Sequence, residues 1–341
     1  MDLNTLWFIL IAVLFSGYFV LEGFDFGVGM LLPFLGKNDT QRRVILNTIG
    51  PHWDGNEVWL ITAGGAMFAA FPGWYATLFS GFYLALLIML LALIVRGIGI
   101  EFRSKHESPR WRKFWDWAIS AGSFIPSLLW GVAFANFLRG VPIDAEKYFV
   151  GNFWDLINLY AILGGLAVVS VFLLIGSIFL SLKTEEPLMS HAQTAAKRLW
   201  IPAILFGAGA SAATHFLTDV LTYQGTTGWL APIFGALGVL ALFATGWFIR
   251  KIESGKAFLM CTFTILLTSA SVFAALYPRV LVSILDPNFS LTIYNSASGL
   301  NTLRVMTIVA LIFLPIVLVY QGWSYWIFRK RLSERAEDLH Y

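Results

Sequence analysis

The sequence predicts an all-α, polytopic membrane protein, and three observations predict it. Of its 341 residues 58% are hydrophobic and only 13% charged, where a soluble domain carries about 25% charged residues. The mean hydropathy is +0.73. The apolar residues gather into separate runs of the length needed to cross a bilayer, about 20 residues.

Nine such runs can be drawn, over roughly 7–34, 54–71, 75–99, 115–138, 155–182, 198–221, 228–249, 258–280 and 304–328. The first begins near Leu6 and runs past Val20 with no small-residue cleavage site, so it reads as a span rather than a removable signal. The second and third are separated by Phe71-Pro72-Gly73-Trp74, where proline and glycine break the helix. Most of the 23 lysines and arginines fall in every second connection, around Lys37–Arg43, Arg103–Lys113, Lys183–Arg198 and Arg250–Lys256, and in the tail from Arg329. Such alternation requires an odd number of spans. The basic side is expected to be cytoplasmic, which puts the N-terminus outside and the C-terminus inside a cell membrane. Many of the 14 tryptophans sit at run ends, with Trp7, Trp74, Trp154 and Trp229 on the outer side and Trp115, Trp117, Trp200, Trp247 and Trp326 on the inner. Interfacial anchoring accounts for these.

The informative residues are the charges inside these runs. A charge at the centre of a spanning helix costs about 2.5–3.5 kcal/mol on insertion scales, and chains that carry one generally use it for ion or proton traffic. Glu22 and Asp25 are three residues apart in the first run, on one helix face. If both were ionised they would repel, so the pair favours one neutral member. Gly23 and Gly27 beside them let another backbone approach. Asp54 and Glu57 repeat the spacing at the start of the second run, where first-turn carboxylates also suit the helix dipole. Arg96 lies inside the third run, placed to neutralise Asp25 or Asp54 or to snorkel outward. These acids can serve as a proton relay or as static ion-pair partners, and the sequence leaves both open. His215 and Asp219 share a face in the sixth run, as a haem ligand with its orienting acid or as a simple pair. No second run supplies a matching histidine, since His52, His106, His191 and His340 lie at or beyond the membrane edges. The lone cysteine, Cys261, excludes an internal disulfide, a Cys-x-x-Cys-His haem attachment and a cysteine-rich cluster. No phosphate loop, nucleophile triad, zinc spacing or nucleic-acid motif is present, and no metal site in this chain is expected.

Several separated blocks resemble subunit II of the cytochrome bd-type quinol oxidases. They are Gly23-Phe24-Asp25-Phe26-Gly27-Val28-Gly29 with Pro33-Phe34-Leu35, all of Gly50 to Pro72, Phe79-Ser80-Gly81-Phe82-Tyr83, Arg96-Gly97 with Glu101-Phe102-Arg103, and Trp115-Asp116-Trp117 with Gly122-Ser123-Phe124. The likeness is dense over roughly the first 140 residues and looser beyond. It implies a membrane complex that oxidises quinol and reduces dioxygen to water, with the b and d haems and the quinol-oxidation loop in a partner subunit I, and no cofactor of its own for this chain. It also implies contact with membrane lipids and the quinol pool, and it leaves open whether small accessory subunits attach. Two four-helix bundles with one peripheral span follow from it: residues 1–140 with the acidic motifs, 155–182 as the peripheral span, and 198–328 as the second bundle. The family's acids at the positions of Asp25 and Asp54 are candidates for a route that takes protons from the cytoplasm, while Glu22 and Glu57 are singled out by position alone. Two other classes compete with this reading: a transporter that couples through Glu22, Asp25 and Asp54, for which the second half offers no matching break, and a purely structural subunit.

Overall fold

The computed structural model describes residues 2–219, 229–335 and 339. Long helices are what this sequence must form, because in hydrocarbon every backbone N–H and C=O has to be satisfied within its own segment. The helices are α1 (Leu3–Leu35), α2 (Asp39–Ile49), α3 (Trp53–Ala70), α4 (Pro72–Gly81), α5 (Tyr83–Phe102), α6 (Pro109–Arg139), α7 (Leu159–Lys183), α8 (Leu188–Leu217), α9 (Leu230–Arg250), α10 (Ser254–Leu276) and α11 (Leu300–Ile327). Eight helices among the described residues are long and apolar enough to cross a membrane. The expected ninth, over 54–71, is the shorter α3 of 18 residues. It ends where Pro72 opens α4 as its first residue, the position at which proline's missing N–H costs nothing.

Two features depart from the sequence reading. The basic connection after α1 holds an amphipathic helix, α2, too short and polar to register as an apolar run. Asn38 caps that helix by accepting from the Gln41 amide at 2.8 Å, and Val44, Ile45, Leu46 and Ile49 are buried. The third run is bent at Phe82, which separates α4 from α5.

Two four-helix groups emerge from the packing. In one, α1 lies against α3 and α6, and α6 against α5; in the other, α7 packs on α8, and α10 on α9 and α7. The helix expected at the periphery, α7, joins the two, because it also packs on α1 and α6. Its glycines explain the fit: a Cβ added to Gly176 would lie 2.6 Å from Gly27 Cα, and one on Gly165 2.9 Å from the Leu128 carbonyl. The outlying helix is α11, where Leu303 is the buried residue. The short antiparallel pair β1 (Arg279–Leu281) and β2 (Leu291–Thr292) covers the other end of the bundle with the 140–158 connection, where the Val141 amide donates to the Val282 carbonyl at 2.9 Å.

The connections that carry the basic residues come together at one end. Arg103 bridges Asp116 (2.5 Å) and Asp39 (2.9 Å), Arg42 bridges Asp116 (2.9 Å), and Arg112 bridges Asp39 (2.6 Å). The tail after α11 lies across this end, with the Leu332 amide donating to the Lys183 carbonyl at 2.8 Å. Of the tryptophans read as interfacial anchors, Trp7 and Trp74 are instead core residues, 5% and 1% exposed, while Trp154 and Trp229 are exposed. Trp7 is held inward by donating from Nε1 to the Leu303 carbonyl and to Thr307.

Candidate functional site

Four helices deliver charged or polar side chains to one buried point. Glu22 and Asp25 of α1 and Arg96 of α5 are fully buried. Arg96 Nη1 bridges Glu22 and also Glu57 of α3, the latter at 2.7 Å. The guanidinium carbon also lies 4.8 Å from the centre of the Phe26 ring. The partners anticipated for Arg96 were Asp25 or Asp54, and its salt bridges go instead to Glu22 and Glu57. The reason is helical phase. Glu22 and Asp25 share a face, but only Glu22 reaches the α5 side, while Asp25 turns toward α3 and α11. Gly122 of α6 makes room for Arg96, since a Cβ there would lie 2.8 Å from the Arg96 Cβ.

Asp25 is held by an amide. Its Oδ2 accepts from Asn56 Nδ2 at 2.7 Å. Asn56 Oδ1 in turn accepts from Tyr325 Oη at 2.9 Å and Gln321 Nε2 at 3.1 Å, both on α11. Gln321 Oε1 accepts from Trp59 Nε1 at 2.7 Å. Asp25 Oδ1 is buried and has no hydrogen-bond partner among the described residues. At the rim of this network His52 stacks on Tyr325, with ring centres 4.2 Å apart. The His52 ring precedes the span, and burial together with the nearby Lys183 charge pulls its pKa down to about 4.

The structure therefore brings together Glu22, Asp25, Glu57 and Arg96, and leaves Asp54 on the exposed first turn of α3. Asn56, Gln321 and Tyr325 were not anticipated. A lone glutamine following the apolar stretch Leu311–Tyr320 was a signal that could have found one of them. Asp219 faces Arg279, with bonds of 2.5 and 2.9 Å, and the His215 side chain is exposed. The end of the run that carries them, and His340, lie outside the described residues. Among the described residues no group of three or more His, Cys, Asp or Glu side chains is placed to hold a metal ion. For a haem the donor set does not fit either: His52 is engaged in an aromatic stack and His215 points outward, so the described histidines offer no facing pair.

Chemically, the arrangement sets three carboxyls against one guanidinium. With all three ionised, the cluster would carry two uncompensated negative charges in a largely buried setting, which is costly. It is thus suited to exchanging a proton.

A family model described as cytochrome bd terminal oxidase subunit II matches residues 3–328. The chain is 44% identical over 334 residues to the cytochrome bd ubiquinol oxidase subunit 2 of Bacillus subtilis (strain 168), spanning 98% of each. It is 38% identical over 367 residues to the cytochrome bd-I ubiquinol oxidase subunit 2 of Escherichia coli (strain K12), spanning 99% of this chain and 96% of that one. Among solved structures, a chain of the bd oxidase from Geobacillus thermodenitrificans superposes with a TM-score of 0.77 over 97% of this chain and 100% of its own, at 16% identity, a likeness of fold.

Proposed function

Since the chain belongs to the cytochrome bd terminal oxidase subunit II family, we propose that it braces a haem-bearing subunit I and supplies part of the route by which protons reach the site of dioxygen reduction. As a subunit of a quinol-oxidising oxidoreductase complex it works with redox centres, the b and d haems, that the partner holds, and quinol is the substrate of the complex. The basic end of the bundle faces the cytoplasm on this reading, with the N-terminus outside and the C-terminus inside. Residues 1–140 form the bundle with the acids, helices α7 to α10 form the second with α7 as the joint between the two, and α11 lies outside both. Membrane lipids complete the surroundings, with room for small accessory subunits on the exposed helices.

The single observation that carries the proton reading is the buried excess of carboxyls over cations around Arg96. The division of labour within it follows from the bridges. Glu22 and Glu57 are paired with Arg96, which favours a static role for them. Asp25 takes no part in those bridges; like Glu22 it keeps an oxygen without a hydrogen bond, and being unpaired with Arg96 it is the member free to gain and lose a proton. Asp54, exposed at the head of α3, is placed to collect protons at the rim. In the purified complex Asp25→Asn is expected to slow dioxygen reduction and proton uptake on the order of 100-fold, the lower range for a lost general acid–base group, with the haem spectra preserved. Asp54→Asn should slow them less. Normal turnover and uptake in both variants would leave only the bracing role.

A further inference from the structure

The network around Asp25 has a direction, set by a residue that can only donate. An indole N–H has no acceptor capacity, so Trp59 Nε1 must be met by the oxygen of the Gln321 amide, as it is at 2.7 Å. That turns Gln321 Nε2 toward Asn56, where it can be met only by an oxygen, and Asn56 Oδ1 lies there at 3.1 Å. Tyr325 Oη donates to the same oxygen. With its oxygen so engaged, Asn56 can present only its Nδ2–H to Asp25 Oδ2, at 2.7 Å. Amide orientations are otherwise interchangeable, and here each is fixed by the one before it. The starting indole is itself wedged in place: a Cβ on Gly17 of α1 would lie 2.6 Å from Trp59 Cε3.

We propose that Asn56, oriented by Trp59 and Gln321, is a positioning residue that confines the exchangeable proton of Asp25 to Oδ1. Oδ2 receives a hydrogen bond and has no acceptor facing it, so a proton there would be stranded. Oδ1 is the oxygen without a described partner, and it is where a proton can arrive and leave. The consequence reaches across the bundle, because α11 is otherwise loosely attached. The amide and phenol that it contributes thus couple the seating of this outer helix to the protonation geometry of a carboxyl on α1.

The inference rests on the proton-inlet reading of Asp25 and deepens it. Its test uses the intact oxidase complex and redox-difference infrared spectra, reading the protonated-carboxyl band that Asp25→Asn removes. Gln321→Glu combined with Tyr325→Phe keeps an acceptor for Trp59 but removes both donors that face Asn56 Oδ1, so the Asn56 amide turns its Nδ2 toward the new carboxylate. The Asp25 band should be displaced and dioxygen reduction slowed about tenfold, the rate equivalent of one hydrogen bond to a charged group. Trp59→Phe, a milder change that preserves ring packing, should displace the band in the same sense, and it serves if the first variant fails to assemble. An unmoved band and rate in the variants that assemble, with Asp25→Asn still slow, overturns the positioning role and leaves the inlet standing. The absence of any band assignable to Asp25 also overturns the positioning role. Full turnover and proton uptake in Asp25→Asn instead removes the inlet reading, and this inference with it.

Discussion

Arg96 shows how much a single side chain holds in place at this depth. Its guanidinium is fully buried and bridges carboxyls from α1 and α3. Removing one partner of a buried pair leaves charge without compensation and costs about 3–5 kcal/mol. Arg96→Ala is therefore expected to lower the thermal midpoint of the solubilised complex markedly, and the triple variant Arg96→Met, Glu22→Gln, Glu57→Gln to restore much of the loss, because it removes both signs of charge. Melting curves of the two distinguish a charge effect from a packing effect, and an unchanged midpoint in Arg96→Ala contradicts the pairing. His52 gives the second residue-scale expectation, and its sign can be worked out. The unfolded chain takes up the ring's proton near 6.5, the folded chain only near 4. Between those values the unfolded state binds more protons, so stability falls as the pH drops from 6.5 toward 4, by at most about 3 kcal/mol. His52→Phe keeps a ring against Tyr325 and removes the titration. The gap between variant and parent melting temperatures should therefore widen in the variant's favour as the pH falls through that window and stay constant above it.

At the scale of elements, what was legible in the sequence was whatever depends on composition along one helix. The runs, the break at Pro72 and the Gly23–Gly27 pair could all be read directly. What was not legible depends on the partner helix and on its rotation. The close approach prepared by Gly27 is completed by Gly176 of α7, more than a hundred residues away, and it makes α7 the joint between the two groups rather than an outlier. The same dependence on phase decided the site. Spacing put Glu22 and Asp25 on one face, but only packing separated a carboxyl bridged by arginine from one held by an amide. The helix α2 was legible in principle from Asn38 and the Val44–Ile49 stretch, but at 11 residues with one polar face it does not stand out as an apolar run. Gly176→Leu forces a side chain into the α1 backbone, whose Gly27 Cα is 2.6 Å from the added Cβ. Overpacking of this kind costs about 1–3 kcal/mol. The expected outcome is a lower melting midpoint and poorer recovery of assembled complex, whereas Gly255→Ala in α10, with nothing within 4 Å of the new methyl, should be neutral to slightly stabilising.

Across the whole molecule, the distribution of burial indicates what the chain needs from its surroundings. The hydrophobic windows of α8 and α11 are each only 6% buried, so the ordered interior lies around α1, α6 and α7, and whole helices are left to lipid or to a neighbour. A chain that used its buried acids for transport by itself would need a pathway lined within its own core. Here the acid cluster sits instead where α3 and α11 form the outer wall, and α3 has four buried residues, Asn56, Ala63, Met67 and Ala70. On the proposed inlet reading, a carboxyl site separated from the surface by one partly exposed helix passes protons sideways into a neighbouring protein rather than moving a solute through this one. Biochemically, that difference is open to a direct check. Gently solubilised and isolated by a tag on this chain, the protein should bring with it a haem-bearing partner and quinol-dependent oxygen consumption. Stripped of that partner by harsher detergent, it should show no Soret absorption, because the described histidines offer no facing pair to ligate a haem. A Soret band that follows this chain alone would mean that a haem site had been missed, and recovery of the chain by itself from gently solubilised membranes would argue for a protein that acts without the oxidase.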